Sequence, residues 1–207
     1  MSNSSFQLES LHGVYVLRLT SDDGTNRLTR QCVLSLTGQL VDLQREAQPL
    51  VITGNERFFS AGAELAEVAA LNAPGAYEFS KLGQALMAAV EAFPAPVYAA
   101  ISGYCMGGGL DLALACHRRI GSPNAVFGHR GAALGLITGW GGTQRLPRLI
   151  GKAWALQMFV AAEKVTAEPA LEIGLIDAIV PDPLSEAIRQ IARRPYGTWP
   201  LSGTVPD

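Results

Sequence analysis

Two glycine-bearing segments of the sequence contain the residue types best suited to stabilising negative charge on an oxygen. The first is FFSAGAEL at residues 58–65, and the second is YCMGGGLDLAL at residues 104–114. Each follows an apolar run and leads into a helical pattern, and a helix N-terminus presents unpaired backbone N–H groups at the positive end of its dipole. Small residues let a ligand approach that backbone closely. Together the segments predict two N–H donors on one carbonyl oxygen, an arrangement suited to enolate chemistry.

Two other interpretations of these turns apply. A glycine-rich turn also occurs where a helix packs tightly against a strand, although three consecutive glycines at 107–109 are a costly way to make such a turn. Helix N-termini also bind phosphate, but neither turn fits G-x-x-x-x-G-K-[ST], and no G-x-G-x-x-G follows the first predicted strand. The pair of turns therefore favours an oxyanion site over a nucleotide site, while tight packing stays open for each turn alone.

The surrounding elements place both turns in an α/β fold. The unit of apolar strand, glycine-bearing turn and helix occurs three times, which predicts strands that deliver their turns to one side of the molecule. Predicted strands are Val14–Leu19, Leu50–Thr53, Val97–Ile101 and Ala125–Phe127, and predicted helices are 29–46, a segment from about 63, 77–93, 110–116, 141–150 and 184–193. We expect one core at residues 1–183 and a short C-terminal helix and tail at 184–207, with a poorly anchored terminus from 195 onward.

The composition favours an enzyme over a nucleic-acid-binding or disordered chain. Of the 207 residues, 48% are hydrophobic and 16% are charged, and the net charge of −2 provides no basic surface for DNA or RNA. The apolar stretch 95–116 contains a proline, four glycines and Asp111, which argue against a membrane span. The N-terminus shows no secretory signal, and three widely spaced cysteines predict reduced thiols. A soluble, cytoplasmic protein is expected.

Four motifs, in order, resemble those of the crotonase (enoyl-CoA hydratase/isomerase) superfamily. FFSAGAEL resembles F-x-A-G-A-D-L, and SGYCMGGGLDLALAC resembles G-x-x-x-G-G-G-x-E-L-A-x-x-C-D. FGHRGAALGLITGWGGTQRLPRLIG resembles F-G-x-P-E-x-x-L-G-x-x-P-G-x-G-G-T-Q-R-L, and ALEIGLIDAIV resembles A-x-x-x-G-L-V-D-x-V-V. The resemblance extends over about residues 14–183. It implies the crotonase/ClpP-like fold, an α/β spiral of repeated ββα units, here with a shortened C-terminal helical region.

The resemblance also implies the residues of an acyl-CoA site. The backbone amides of Ala61 and Gly108 would form the oxyanion hole, and Asn26 and Leu28 lie where the family's N-A-L motif borders the adenine. The substrate-binding residues implied in this way are Asn26, Arg27, Leu28, Ala61, Ala63, Leu65, Gly107, Gly108 and Gly131. Coenzyme A enters as part of the substrate, without a separate cofactor or metal. A homo-oligomer, either a trimer or a hexamer, is expected.

Departures from the motifs bear on the reaction. Hydratases of this family use two glutamates, and their positions are occupied here by Asp111 and Gly131. The helix dipole alone would favour an aspartate at 111. If Asp111 acts as an acid/base group, however, it would raise the reaction rate ~10²–10⁴-fold. His129 is a candidate second acid or base, although a lone histidine is more often a packing or surface residue. Arg130 is the other polar side chain beside it in this loop.

The coenzyme side departs from the family pattern as well. Asp22 and Asp23 stand where many relatives have a basic residue near the phosphates of coenzyme A. Two carboxylates repel phosphate groups. Affinity for coenzyme A is therefore expected to be weak, unless Arg27 supplies the positive charge.

This set of residues favours isomerisation of an enoyl-CoA over its hydration. A single acid/base group moves a proton between two carbons, whereas hydration also requires that water be activated. The expected protein is an acyl-CoA enzyme of the enoyl-CoA hydratase/isomerase type that acts through a thioester enolate. Two alternatives stay open: a catalytically silent acyl-CoA-binding or scaffold protein, and a decarboxylase or hydrolase with the same oxyanion hole.

Overall fold

A computed structural model of the chain describes residues 5–193. The strands are β1 (Phe6–Leu11), β2 (Val14–Leu19), β3 (Arg27–Leu28), β4 (Leu50–Thr53), β5 (Phe58–Ser60), β6 (Gly62–Ala63), β7 (Val97–Ile101), β8 (Tyr104–Met106), β9 (Arg118–Gly121), β10 (Val126–Gly128), β11 (Lys164–Thr166) and β12 (Ala178–Ile179). The helices are α1 (Arg30–Leu43), α2 (Leu65–Ala69), α3 (Ala73–Glu91), α4 (Gly108–Ala115), α5 (Gly142–Ile150), α6 (Lys152–Val160), α7 (Ala167–Glu172) and α8 (Pro183–Ala192). A 3-10 helix covers Gly131–Leu134.

Between β4 and β10, strands of a six-stranded sheet and of a four-stranded sheet alternate along the chain, while β3 and β6 form a separate two-stranded sheet. β4, β7 and β9 are neighbours in a six-stranded sheet of order β1-β2-β4-β7-β9-β12. The strand that follows each of them, β5, β8 or β10, lies in a four-stranded sheet of order β11-β10-β8-β5. The pairs β1–β2 and β10–β11 are antiparallel, and the other pairs of these two sheets are parallel. The predicted α/β architecture of repeated ββα units is confirmed.

Burial on both faces explains why the central strands are predictable. β4, with sequence LVIT, and β7, with sequence VYAAI, are buried at every position, as parallel strands covered by helices on both sides must be. The predicted bounds of β2, β4 and β7 are confirmed, and the strand predicted near residue 126 is β10. The predicted helices correspond to α1, α3, α4, α5 and α8, with ends that differ by a few residues, and the segment predicted from about 63 becomes α2.

The sequence patterns do not predict β9, because its two arginines resemble an exposed segment. Arg119 is nevertheless buried, and its guanidinium donates to the carbonyls of Cys116 and Leu175 at 2.8 Å each. The same guanidinium lies 3.7 Å from Asp177, which also accepts from the Arg119 backbone N–H at 2.8 Å. Because its N–H groups are hydrogen-bonded and its charge is paired, the Arg119 guanidinium can be buried. Arg119 therefore occupies an interior strand position at which the sequence pattern leads one to expect an apolar side chain.

The C-terminal helix α8 covers one face of the six-stranded sheet. Its buried residues Ala187 and Ile191 pack against Val51 of β4 and Tyr98 of β7. Asp182 begins the helix by accepting from a backbone N–H of its first turn. The terminus predicted from residue 195 onward lies outside the described residues. Among residues 5–193, no helix is long and apolar enough to cross a membrane.

All three cysteines of the chain are buried and unpaired. They are Cys32, Cys105 and Cys116. Burial raises the pKa of the Cys32 thiol to about 11 and that of the Cys116 thiol to about 12. The pKa of the fully buried Cys105 thiol is raised for the same reason. The thiolate forms that react with disulfides are therefore suppressed in the folded protein.

We expect the native protein to react slowly with an aromatic disulfide reagent at about pH 8, and the denatured protein to react fully. The raised pKa values also predict how stability depends on pH. The thiols stabilise the fold below an ordinary pKa of about 8.5, and this contribution is lost as the pH rises toward the folded values. Thiol titration and denaturant unfolding at neutral and alkaline pH check this. Rapid modification of the native protein would contradict it.

Candidate active site

The first predicted turn joins β5 to β6 and is held by hydrogen bonds to the segment before β3. The Ala61 N–H donates to the Thr25 carbonyl at 2.9 Å. The Ser60 hydroxyl donates to the Asn26 carbonyl at 2.7 Å and accepts from the Gly62 N–H at 3.1 Å. Because a backbone N–H has a single hydrogen, the Ala61 amide has none left for a ligand. The structure therefore corrects the prediction that Ala61 supplies an oxyanion donor.

Ala63 lies two residues further along, beyond Gly62, whose φ of 92° interrupts the regular strand geometry between the two alanines. The Glu64 N–H donates to the Leu28 carbonyl of β3 at 3.4 Å, and successive N–H groups of a strand point to opposite sides. The Ala63 N–H therefore points away from β3. Its nitrogen lies 3.4 Å from the point where a Cβ on Gly108 would lie. The structure thus brings together the amides of Ala63 and Gly108.

The second turn approaches the first through two glycines. Gly107 has φ 52°, a left-handed conformation that favours glycine, and its N–H donates to the Gly128 carbonyl at 2.9 Å. Since α4 begins at Gly108, the N–H of that residue has no acceptor within the helix. A Cβ on Gly62 would lie 3.0 Å from the Gly108 nitrogen and 2.7 Å from the Met106 carbonyl oxygen. The close approach of the turns therefore requires glycine at 62.

A cavity of about 610 Å³ opens beside these amides. Most of its lining side chains are apolar, with a few polar groups among them, which is the usual form of a small-molecule site. Trp140 closes part of the wall, and its indole N–H donates to the Phe79 carbonyl at 3.1 Å. The predicted site residues that line the cavity are Ala61, Ala63, Leu65, Gly107, Gly108, Asp111, His129 and Gly131. Asn26, Arg27 and Leu28 lie outside the lining.

Asp111 is the one carboxylate among the described residues that line the cavity. Its side chain is fully buried, and the Thr138 hydroxyl donates a short hydrogen bond to its Oδ2. The other oxygen, Oδ1, lies 3.2 Å from His129 Nε2, but the two atoms are not aligned as a hydrogen bond. A Cβ on Gly142 would lie 2.1 Å from Oδ1 and 3.0 Å from that nitrogen, so glycine at 142 makes room for the pair. The fold thus places the two predicted proton-transfer residues side by side.

Thr138 is a site residue that the sequence patterns do not identify. It reaches Asp111 from a loop 27 residues further along the chain. Its position corresponds to the second proline of the third family motif, so a hydroxyl replaces a ring that has no polar atom to donate. The threonine in place of that proline could have indicated a site residue from the sequence. Its role follows only from the packing of this loop over Asp111.

Thr138→Val is expected to lower turnover about tenfold, because it leaves Oδ2 of Asp111 buried without a donor at a cost of about 1–3 kcal/mol. Valine keeps the shape of threonine, so the effect comes mainly from the missing hydroxyl. Thr138→Ser, which retains the hydroxyl, is the matched control. Steady-state kinetics and thermal unfolding of the two variants check this, and equal turnover in both would count against a role for the hydrogen bond.

Position 131 has no room for the second glutamate of the family. The Gly131 carbonyl accepts from the Leu136 N–H at 2.8 Å, which closes a tight turn after the 3-10 helix begins. A Cβ on Gly131 would lie 2.7 Å from the Leu136 carbonyl oxygen. Any side chain at 131 therefore requires a shift of this turn. The polar side chains that the loop does contribute to the cavity are those of His129, Arg130 and Thr138.

The sequence pattern of enoyl-CoA hydratase/isomerase proteins matches residues 9–196. This chain belongs to the enoyl-CoA hydratase/isomerase family. It is 36% identical over 198 residues to a crotonyl-CoA hydratase of Syntrophomonas wolfei. The matched region covers 94% of this chain and 76% of that protein. A short-chain-enoyl-CoA hydratase of Clostridium acetobutylicum is 32% identical over 199 residues, with the same shares covered.

A solved enoyl-CoA hydratase structure from Bacillus anthracis resembles this member of the enoyl-CoA hydratase/isomerase family in fold. The two agree with a TM-score of 0.86 at 33% identity, over 91% of this chain and 76% of that chain. The predicted crotonase fold and family membership are confirmed.

The predicted coenzyme side of this enoyl-CoA hydratase/isomerase family member is acidic. Arg27 lies 3.1 Å from Asp23 and 3.2 Å from Glu64, so two carboxylates compensate its charge. Asp23 also accepts from the N–H and hydroxyl of Thr25 and from the Ser21 hydroxyl, and these bonds lower the pKa of its carboxyl to about 2. Arg27 therefore does not offer an uncompensated positive charge for the phosphates of coenzyme A.

Asn26 and Leu28 support the first turn and do not form part of the surface. Asn26 is 2% exposed, and its Nδ2 donates to the Phe58 carbonyl at 2.9 Å. Leu28 is fully buried in the main core. Neither side chain reaches solvent, and the role of Asn26 and Leu28 in binding the ligand stays a prediction. Leu65, by contrast, is 52% exposed on the cavity wall.

Proposed function

We propose that this member of the enoyl-CoA hydratase/isomerase family acts on an acyl-CoA thioester through an enolate. The observation that carries the proposal is the pair of amides of Ala63 and Gly108 beside an apolar cavity that also contains Asp111. Two N–H donors directed at the thioester carbonyl oxygen stabilise the negative charge that develops when C2 loses a proton. Asp111 Oδ1 accepts that proton, while Thr138 fixes the other carboxylate oxygen.

The reaction that we favour is isomerisation of a 3-enoyl thioester to a 2-enoyl thioester. A proton leaves C2 for Asp111, and the electrons of the C2–H bond enter a dienolate whose charge rests on the carbonyl oxygen. The double bond then lies between C2 and C3 when Asp111 returns the proton to C4. One carboxylate suffices for these steps, and Asp111 is the carboxylate in the described cavity wall. The relatives named crotonyl-CoA hydratase and short-chain-enoyl-CoA hydratase support a short acyl group.

Two measurements on the unmodified protein test this function. In D2O, we expect the C2 hydrogens of a saturated acyl-CoA to exchange for deuterium, followed by NMR. We also expect a 3-enoyl-CoA to be converted into its conjugated isomer, followed by ultraviolet absorbance. Failure of both reactions with a thioester that binds would contradict the enolate proposal.

A catalytically silent acyl-CoA-binding or scaffold protein is the second candidate. The observation in its favour is the acidic turn, in which Arg27 is already paired with Asp23 and Glu64. Isothermal titration with acetoacetyl-CoA separates the possibilities. Heat of binding without exchange or isomerisation indicates a silent binder, whereas neither heat nor reaction at millimolar ligand indicates a scaffold. Release of carbon dioxide or of free coenzyme A would instead identify a decarboxylase or a hydrolase.

We also propose that the chain forms a homo-oligomer, either a trimer or a hexamer, in the cytoplasm. Helix α6 has three large apolar side chains that are well exposed in the single chain, namely Trp154, Leu156 and Val160. Exposed apolar surface of this kind is typical of subunit interfaces. The unpaired thiols suit a reducing compartment. Light scattering of the purified protein tests the oligomeric state.

A further inference from the structure

Arg130 is the one arginine or lysine among the described residues that line the cavity. Its side chain is exposed and forms no hydrogen bond or ion pair with any other residue of 5–193. Arg27, by comparison, is compensated by two carboxylates. Within the part of the chain that the structure describes, the cavity wall thus has a guanidinium without a paired carboxylate, and a ligand with an anionic group of its own would pair with it.

The loop after β10 fixes the position of this cation. His129, the residue before it, is buried against the Phe159 ring, with 4.9 Å between the ring centroids. The His129 Nε2 lies 3.2 Å from Asp111 Oδ1. On the other side of the arginine, the Gly131 carbonyl accepts from the Leu136 N–H at 2.8 Å. The third family motif, F-G-x-P-E, has a proline at this position, so the arginine adds a charge that the motif lacks.

The order of the strands shows which part of a thioester the cation meets. β8 lies between β5 and β10 in the four-stranded sheet, and both pairs are parallel, so the three segments that follow these strands leave the sheet at one edge. The segment after β5 leads to Ala63, the segment after β8 contains Gly108, and the segment after β10 contains Arg130. Arg27 of the predicted coenzyme side pairs with the strand that follows β5. A thioester carbonyl at Gly108 therefore has the coenzyme on one side and Arg130 on the side of the acyl group.

We propose that Arg130 binds a carboxylate at the far end of the acyl group, so that the preferred substrates of this site are monothioesters of dicarboxylic acids. The proposal rests on the proposed function, since it takes the thioester to be held at Ala63 and Gly108. A guanidinium binds a carboxylate through two parallel N–H···O bonds, and a mainly apolar surrounding strengthens such a pair. Asp111 repels a second carboxylate, which favours binding of the acyl carboxylate at Arg130.

The affinities of two thioesters that share the coenzyme test this inference. Glutaryl-CoA is butyryl-CoA with a carboxylate added at C4, and isothermal titration of the unmodified protein is expected to show tighter binding of glutaryl-CoA. We expect Arg130→Gln to lower the ratio of the two affinities by at least about tenfold, because it removes a charge-assisted hydrogen bond. Arg130→Lys keeps the charge and is expected to retain part of the preference. Arg45→Gln, at an exposed position outside the cavity lining, is the matched control and is expected to leave the ratio unchanged.

Equal losses of affinity for both thioesters in Arg130→Gln would overturn the inference, because they would indicate that Arg130 binds a phosphate of the coenzyme. An unchanged ratio would overturn it as well and leave Arg130 a solvated charge. An unmodified protein that exchanges the C2 hydrogens of both thioesters without preferring glutaryl-CoA would overturn the inference and leave the proposed function intact. A preference that depends on Arg130, without C2-hydrogen exchange, would contradict the enolate function and support the carboxylate site. Absence of binding of both thioesters at millimolar ligand would overturn both.

Discussion

Asp111→Asn is expected to lower C2-hydrogen exchange and enoyl-CoA isomerisation by about 10²–10⁴-fold, the usual contribution of a positioned acid/base group. Asparagine has nearly the size of aspartate, and its carbonyl oxygen still accepts from the Thr138 hydroxyl. The amide does not accept a proton from C2, however, so the enolate does not form at a useful rate. Exchange measured by NMR and isomerisation measured by absorbance give the two rates.

Two controls accompany the Asp111 variant. Asp42→Asn makes the same change at an exposed position of α1 and is expected to retain full activity. Titration of Asp111→Asn with acetoacetyl-CoA is expected to show that the cavity still binds a thioester, which separates a loss of chemistry from a loss of binding. Unchanged turnover in Asp111→Asn would rule out Asp111 as the proton acceptor.

Ala63→Pro is expected to lower the same rates by about 10²–10³-fold, because loss of one oxyanion donor costs about 2.7–4 kcal/mol in the transition state. Proline has no backbone N–H, so the substitution removes the donor itself. The Ala63 N–H points away from β3, so its removal leaves the Glu64–Leu28 bond between the strands in place. Turnover per folded molecule, with the folded fraction taken from circular dichroism, is the quantity to compare.

Ala61→Pro makes the same change two residues earlier and distinguishes the two amides. It removes the bond from Ala61 to the Thr25 carbonyl, so we expect a lower melting temperature and a smaller loss of turnover per folded molecule than in Ala63→Pro. A larger loss of turnover in Ala61→Pro would restore Ala61 as the donor and refute the assignment to Ala63.

The central strands and both glycine-bearing turns are predictable because their patterns are local. β4 and β7 are short apolar runs that end at turn residues, and burial on both faces selects such runs. The choice between Ala61 and Ala63 is different, since it depends on the pairing of β3 with β6. Each of these strands has two residues, too few to show a register in the sequence.

Contacts between distant segments account for the parts of the site that the sequence does not reveal. Thr138 reaches Asp111 from a separate loop, and Arg27 pairs with Glu64, which lies 37 residues away. A sequence shows which charges and hydroxyls are present, whereas partners depend on how loops pack. His129 was a candidate by its type and its loop, but its place against Asp111 follows from the fold.

The tight turn at residue 131 makes recovery of the family's second glutamate more than a single mutational step. Gly131→Glu alone would direct a Cβ to within 2.7 Å of the Leu136 carbonyl oxygen, so the backbone at 136 must move first. Position 129 already faces the cavity and needs no such change. A glutamate at 131 is therefore accessible only after the loop itself is rebuilt.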